Sequence, residues 1–327
     1  MDEKGMSEEI YVSIPVHENI EVVIDQCKNM LKYLHNPRVI LHVSRKANFD
    51  KDKLGTKIKE EKLNNNIFVN PKSVETGWGS IIEAHLANIE FARQMADDPR
   101  SAKFVFHSSN DLIVKQGVAD FIKSNKNAFH IRRYDYPGYW WVANVAQRDP
   151  CLRKMLTYVS GVARIYGSQI EGAFYNLENL LEISNIIRRF YSFSPGELFY
   201  TREEIFFPSV ALALKIAPTA SPYVFSEVHR FDRMLWHIYA NIDKCRCASN
   251  ESLKHFINET LLKLKFMWKI TQTDIVRIRS NKDIGFEIYD ANFLWAPYPE
   301  STNLYAVKRV PRKINDKLRD YIRQLDL

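Results

Sequence analysis

Two adjacent glutamates, Glu203 and Glu204, stand in the stretch YTREEIFFPSV (Tyr200–Val210), directly before an apolar run that contains Pro208. A carboxylate can do two things at such a place. It can help to open a helix, because Thr201 and Glu204 have the T-x-x-E spacing of a capping box. It can also take a proton from a reacting hydroxyl as a general base. The two roles are compatible, since a base can stand on the first turn of a helix. Pro208 falls just beyond that turn, where its missing N–H distorts the helix. Glu197, in FSPGE, is a rival carboxylate a few residues upstream.

Cations gather toward the C-terminus, in VKRVPRKINDKLRDYIRQL. Such a run serves as a solvated helix face, or meets anionic lipid or a phosphate-bearing ligand. Arg277 and Arg279, in IVRIRS, alternate with apolar residues as on a strand, and one face would carry both to a cleft. Tyr139, Trp140 and Trp141, in YDYPGYWW, could offer aromatic faces to a sugar, although core and loop packing is the plainer role. The cysteines, Cys27, Cys151, Cys245 and Cys247, are too few for a disulfide framework and fit a reducing compartment. Cys245 and Cys247 form a C-x-C pair with no second Cys/His pair, so no metal site is expected. There is no G-x-G-x-x-G, P-loop or H-E-x-x-H pattern. An Asp-x-Asp metal site is not convincing either, because SSND offers only Asp111 beside Asn110.

The elements that must position these residues follow from the hydrophobic pattern. Strands are expected at Ile10–Pro15, Arg38–Val43 and Asn65–Asn70, with a fourth beginning at Lys103 and ending in small polar residues before Asp111. Helices are expected over 19–34 and 80–95. This alternation points to an α/β fold with a mostly parallel sheet flanked by helices. Ligands of such sheets lie outside the carboxyl ends of the strands, which brings the residues after Pro15, Val43 and His107 to one rim. The second half is less regular. Helical patterns cover 179–190, 225–238 and 252–270, and another helix begins near Thr201. The chain has 327 residues, 46% of them hydrophobic, and only 11 glycines, so a large core is expected and a turn-dense all-β architecture is not.

No apolar run approaches the roughly 20 residues that span a bilayer. The opening MDEKGMSEE lacks the features of a signal peptide, so a cytoplasmic protein is expected, with the basic C-terminal segment available to the cytosolic membrane face. Net charge is +7. No nucleic-acid module signature is present, and the basic excess is not spread along the chain, so nucleic acid is not expected as a partner.

Several spaced segments resemble the core-2/I-branching family of glycosyltransferases, which includes β-1,6-N-acetylglucosaminyltransferases and peptide O-xylosyltransferases. They are IPVHENIE, VILHVSRKAN, VETGWGSIIEAHLANI, FVFHSSNDLIVK, YGSQ, EIFFPSV and NLYAVKRV, in the family's order across most of residues 10–310. The resemblance implies a glycosyltransferase type A fold in one domain, with a nucleotide-sugar half at 10–125 and an acceptor and diphosphate half at 126–327. It implies an inverting, metal-independent transfer of an N-acetylglucosamine-like or xylose-like sugar to a glycan hydroxyl. The donor would be a nucleotide diphosphate sugar, with UDP the expected nucleotide. The acceptor would be a glycan or a lipid-linked saccharide, as in polysaccharide biosynthesis.

Residue by residue, the resemblance makes Glu204 the base, with Glu197 and Glu203 behind it. Lys308 would neutralise the leaving diphosphate, with Arg309 and Arg312 as alternates. Arg277 or Arg279 would supply a second cation. His17, Ser44, Trp78 and Asp111 would lie at the donor, Trp78 by packing. Ser44 departs from the family, which commonly has Asp at that place, and this leaves the nucleotide base open. Ser168 and Gln169, with Tyr139 and Trp140, would line the acceptor pocket. Two other classes remain open on sequence: a non-catalytic glycan- or nucleotide-binding module of the same fold, and a basic nucleic-acid or membrane-surface binder.

Overall fold

The computed structural model describes residues 8–17, 19–133, 141–191, 200–225, 269–281 and 303–326. Its elements, in chain order, are β1 (Ile10–Val16), α1 (Ile20–Tyr33), β2 (Arg38–Val43), α2 (Lys51–Glu60), β3 (Ile67–Val69), α3 (Ile81–Met95), β4 (Lys103–Phe106), β5 (Leu112–Ile113) and α4 (Val118–Ser124). They continue with β6 (Arg132–Arg133), α5 (Trp141–Ala146), α6 (Pro150–Ser160), β7 (Tyr166–Gly167), β8 (Phe174–Asn176), α7 (Leu177–Phe190) and α8 (Arg202–Ala213). The last are β9 (Val224–Phe225), α9 (Gln272–Arg279), β10 (Ala306–Val307) and α10 (Lys317–Arg323).

The main sheet has the order β3-β2-β1-β4-β8. The first four strands are parallel, and β8 runs antiparallel to β4. Strand β1 is buried along nearly its whole length because helices cover both faces. Side chains alternate between two cores. Tyr11, Ile40, Phe104 and Phe106 pack with residues of α3, α6, α7 and α8. Ile10, Val12, Leu41 and Val105 face the other way and pack with residues of α1, α2 and α4. This is the period of two that the pleat dictates.

The expected elements of the first half are therefore present, with α2, β5 and α4 added. Helix α2 went unread because KDKLGTKIKE is mostly polar; only Leu54 and Ile58, one turn apart, are buried. Arg277 and Arg279 require a correction: IVRIRS is helical. Thr271 and Asp274 form a reciprocal capping box that opens α9, and Ile275 and Ile278 bury one face at helical spacing. The expected helices over 225–238 and 252–270 lie almost wholly outside the described residues, and Phe225 itself belongs to β9.

Chain order in the sheet reverses at β1: β2 and β3 lie on one side and β4 on the other. A crevice forms at such a switch point, outside the carboxyl ends of β1 and β4. A second sheet, β5-β10-β9, extends this rim. Strand β10 pairs antiparallel with β5, which follows Asp111 directly, and parallel with β9. The register Val307↔Leu112 sets Lys308 beside Asp111.

Candidate functional site

Helix α8 is placed by its proline. Pro208 has no N–H, so the carbonyl of Glu204, four residues earlier, lacks its intrahelical donor. The Ser168 N–H donates to it instead, at 2.8 Å. One residue past the proline, the Ser209 hydroxyl accepts from Tyr166 N–H and donates to Tyr166 C=O, both at 2.8 Å. The helix is thus docked along β7 by one backbone carbonyl that a regular helix would keep to itself and by the Ser209 hydroxyl.

The T-x-x-E spacing does not act as a capping box here. Thr201 is the N-cap residue, but its side chain accepts no backbone N–H. Its hydroxyl donates to Glu204 Oε2 at 3.0 Å. The cap expectation is corrected in its geometry: the threonine orients a carboxylate.

Four segments meet around that carboxylate. Lys308 Nζ lies 2.6 Å from Glu171 Oε1, and both side chains are largely buried. Burial works against the lysine charge, but Glu171, Glu204 and Asp111 outweigh it and raise its pKa above the ordinary lysine value, with Arg309 opposing. The half-buried Glu204 has its carboxyl raised by burial and by Glu171, while Lys308 and Arg132 pull the other way. Glu203 is fully inside. Burial, with Glu204 and Glu171 adding to it, pushes its carboxyl up to about 8, so it is protonated at neutral pH.

The structure brings Glu204, Glu203, Lys308 and Asp111 together, and adds Glu171, which sequence reasoning missed. Its one signal is the following glycine. Gly172 has φ +78°, and a Cβ there would lie 2.7 Å from the Val224 backbone nitrogen. The Gln169 side-chain amide clamps the same turn, donating to Glu171 C=O at 2.8 Å and Val224 C=O at 2.9 Å. Ser168 is equally occupied: its hydroxyl accepts from His130 N–H and donates to Gln169 C=O. Ser168 and Gln169, two of the four residues expected at the acceptor, are buried and build the loop that carries Glu171.

Asp111 is fully buried, and Ser108 binds both its oxygens: the hydroxyl donates to Oδ1 at 2.7 Å and the N–H to Oδ2 at 2.8 Å. His107 Nδ1 lies 3.3 Å from Oδ2, and its Nε2 is hydrogen-bonded to the Tyr223 hydroxyl at 2.6 Å. Asp111 therefore turns into the protein and braces the loop after β4. Along that loop runs the segment after β10, with Val310 N–H donating to Asn110 C=O and Arg312 Nη2 to Ser109 Oγ. Arg309 precedes both, at φ +65° and half-buried. Arg319 fastens the segment further on: fully buried, it pairs with Asp25 of α1 at 2.5 Å.

The other expected residues are placed elsewhere. Arg279 donates to Val114 C=O and Asp326 C=O, and Arg277 is exposed on α9. The cations close to the cluster are Arg309 and, from β6, Arg132. His17 is exposed at the end of β1. Ser44 is buried, its hydroxyl accepting from Lys46 and Thr76 N–H groups. Trp78 is 44% exposed. Its loop is held from α8, where Arg202 Nη1 donates to Gly79 C=O at 3.0 Å. Tyr139, Trp140 and Glu197 lie outside the described residues, as do Cys245 and Cys247. Among the described residues no cluster of three His, Cys, Asp or Glu side chains could hold a metal, and no helix is long and apolar enough to cross a membrane.

No family model matches the chain, and no curated protein matches it. Among solved structures it is similar to S. aureus TarS, at 15% identity and a TM-score of 0.35 over 81% of this chain; it spans 46% of that chain. It is similar to TarS 1-349 at 16% identity and a TM-score of 0.36, and to TarS 1-349 in complex with UDP at 14% and 0.35, each over 81% of this chain and 76% of that one. Likeness at this level assigns neither family nor activity. The resemblance to the core-2/I-branching enzymes rests on the sequence motifs alone.

Proposed function

We propose that the protein is an inverting glycosyltransferase that uses a nucleotide diphosphate sugar, with Glu204 as the general base. One observation carries the reading. Lys308 after β10 holds the buried carboxylate of Glu171 at 2.6 Å, within the same cluster as Glu204 of α8, a residue far from it in sequence, at the rim where a parallel sheet opens its crevice. Inverting transfer needs a carboxylate and a cation at one site. A base must take the acceptor hydroxyl proton as that oxygen bonds to the anomeric carbon. The bond to the diphosphate breaks on the opposite face, and its electron pair leaves with the phosphate oxygen.

In this reading Thr201 fixes one oxygen of Glu204 and leaves the other for the acceptor. Burial raises the carboxyl of the base, and Lys308 opposes that rise. Lys308 and Arg309 receive the charge of the diphosphate without a divalent metal. Both halves, 10–125 and 126–327, belong to one catalytic domain. The sugar and the acceptor stay at the level of class: a hexose or pentose, and a glycan or lipid-linked hydroxyl.

The test is Glu204→Gln. Sugar transfer, or slow hydrolysis of the donor, should fall about 10²–10⁴-fold while nucleoside diphosphate affinity is unchanged. Near-normal turnover would remove Glu204 from the role. Wild-type protein that neither binds nor turns over any nucleotide sugar would remove the function.

A further inference from the structure

We propose that Glu171 is a saccharide-binding residue: its free carboxylate oxygen accepts a hydrogen bond from a pyranose hydroxyl at the site. The proposal rests on the glycosyltransferase reading and says what part of the substrate the site reads. Glu171 is 6% exposed, and its two oxygens differ. Oε1 holds the Lys308 ammonium at 2.6 Å. Oε2 is buried with no hydrogen-bond partner. A carboxylate oxygen shut off from water and from donors is costly unless something supplies a donor.

Position argues for a ligand as the donor. The Lys308 contact fixes the Glu171 carboxylate inside the cluster, beside the half-buried Glu204. Its backbone is pre-set from both sides, by Gln169 on the Glu171 carbonyl and by Gly172 pressed on Val224. A side chain held this firmly, with one oxygen left over, is organised for recognition before anything binds. The complementary group is a neutral donor. A sugar hydroxyl fits, whereas a sugar carboxylate would meet like charge. The hydroxyl can belong to the donor sugar or to the acceptor sugar, and the two sources give different results below.

Calorimetry on wild type and Glu171→Gln would use UDP, UDP-glucose, UDP-N-acetylglucosamine, GDP and GDP-glucose. Saturation-transfer NMR would use methyl β-glucoside and methyl β-N-acetylglucosaminide. If the donor sugar is read, Glu171→Gln should weaken a nucleotide sugar about 10- to 100-fold and leave its diphosphate unchanged. If the acceptor is read, nucleotide sugars are unchanged and the methyl glycoside signal is lost. Equal binding of every sugar ligand by both proteins overturns the proposal, as does a change confined to the plain diphosphates, which would make Glu171 only a partner of Lys308. If wild type binds no nucleotide, the transferase reading fails, and the methyl glycoside arm alone decides for Glu171. If the glutamine variant does not fold, wild type titrated with singly deoxygenated forms of the sugar ligand it binds decides. One deoxy position should lose about 10-fold or more, and equal affinity at all positions overturns the proposal.

Discussion

The rim after β2 and β3 and the rim after β4, β7 and β10 both bury polar groups, and they treat them in opposite ways. At the first, neutral groups are tied to one another and to backbone. Asn70 donates to Asn88, Asn88 donates to Ser13, and Ser13 is hydrogen-bonded to His85. His42 accepts from Val74 N–H, and Ser44 from Thr76 N–H. Burial holds both histidines neutral, at about 4 for His42 and about 3 for His85. At the second rim charges are brought together and left incompletely matched, with Glu171 Oε2 and Glu203 Oε2 buried and unpartnered. His42 Nδ1 is also buried without a partner, but on a neutral ring, and a largely satisfied neutral network specifies a scaffold. Unmatched buried carboxyls beside a raised lysine are the mark of a site.

Substitutions should separate the two rims. The largest effect is expected where the segment bearing Lys308 is fastened. Arg319→Ala removes the fully buried partner of Asp25 and leaves it, among the described residues, only Arg323 Nε, 3.6 Å from its other oxygen, and should cost up to about 3–5 kcal/mol by chemical denaturation. Next, Asn88→Ala at the scaffold rim should cost about 1–3 kcal/mol, equally at pH 6 and pH 8, because it opens a neutral network. A cost that varies with pH would mean that rim is charged after all.

The subtler difference is the sign of the pH dependence. Glu203 has its carboxyl raised from 4.5 to about 8 on folding. Between those values the folded protein keeps a proton that the unfolded chain gives up, so stability falls as pH rises through the window. The two histidines act in the other direction, because their folded pKa values lie below 6.5. The unfolded chain takes protons that the folded one refuses, and stability falls as pH drops below that value. Glu203→Gln should flatten the alkaline limb, the fall between about pH 4.5 and 8, by at most about 1.4 kcal/mol per pH unit, and leave the opposing histidine contribution below pH 6.5 unchanged. Retention of the alkaline limb in that variant would show that another group sets it.

The scaffold rim was legible because its strands and helices announce themselves by period: IYVSIPV and RVILHV read as buried parallel strands, and the helix before Met95 by its apolar spacing. The second rim was legible only in pieces. Glu204 and Lys308 stood out by their motifs, but Glu171 has no motif, and its pairing with Lys308 exists only once β10 lies against β5. Local pattern also misled. IVRIRS alternates like a strand, yet a capping box and an i,i+3 apolar pair make it a helix. Thr201 and Glu204 have cap spacing, yet the hydroxyl chose the carboxylate over the backbone. Proline at 208 was read as a distortion, and it is what frees the Glu204 carbonyl for Ser168.

The central claim is that cationic side chains, with Lys308 foremost, receive a diphosphate at this rim without a metal. It is tested most directly by nucleoside diphosphate binding to wild type and Lys308→Met, in EDTA and in manganese. Binding that survives EDTA in wild type and weakens tenfold or more in the variant is the expected result. Binding that vanishes in EDTA, returns with manganese and ignores Lys308→Met would contradict it.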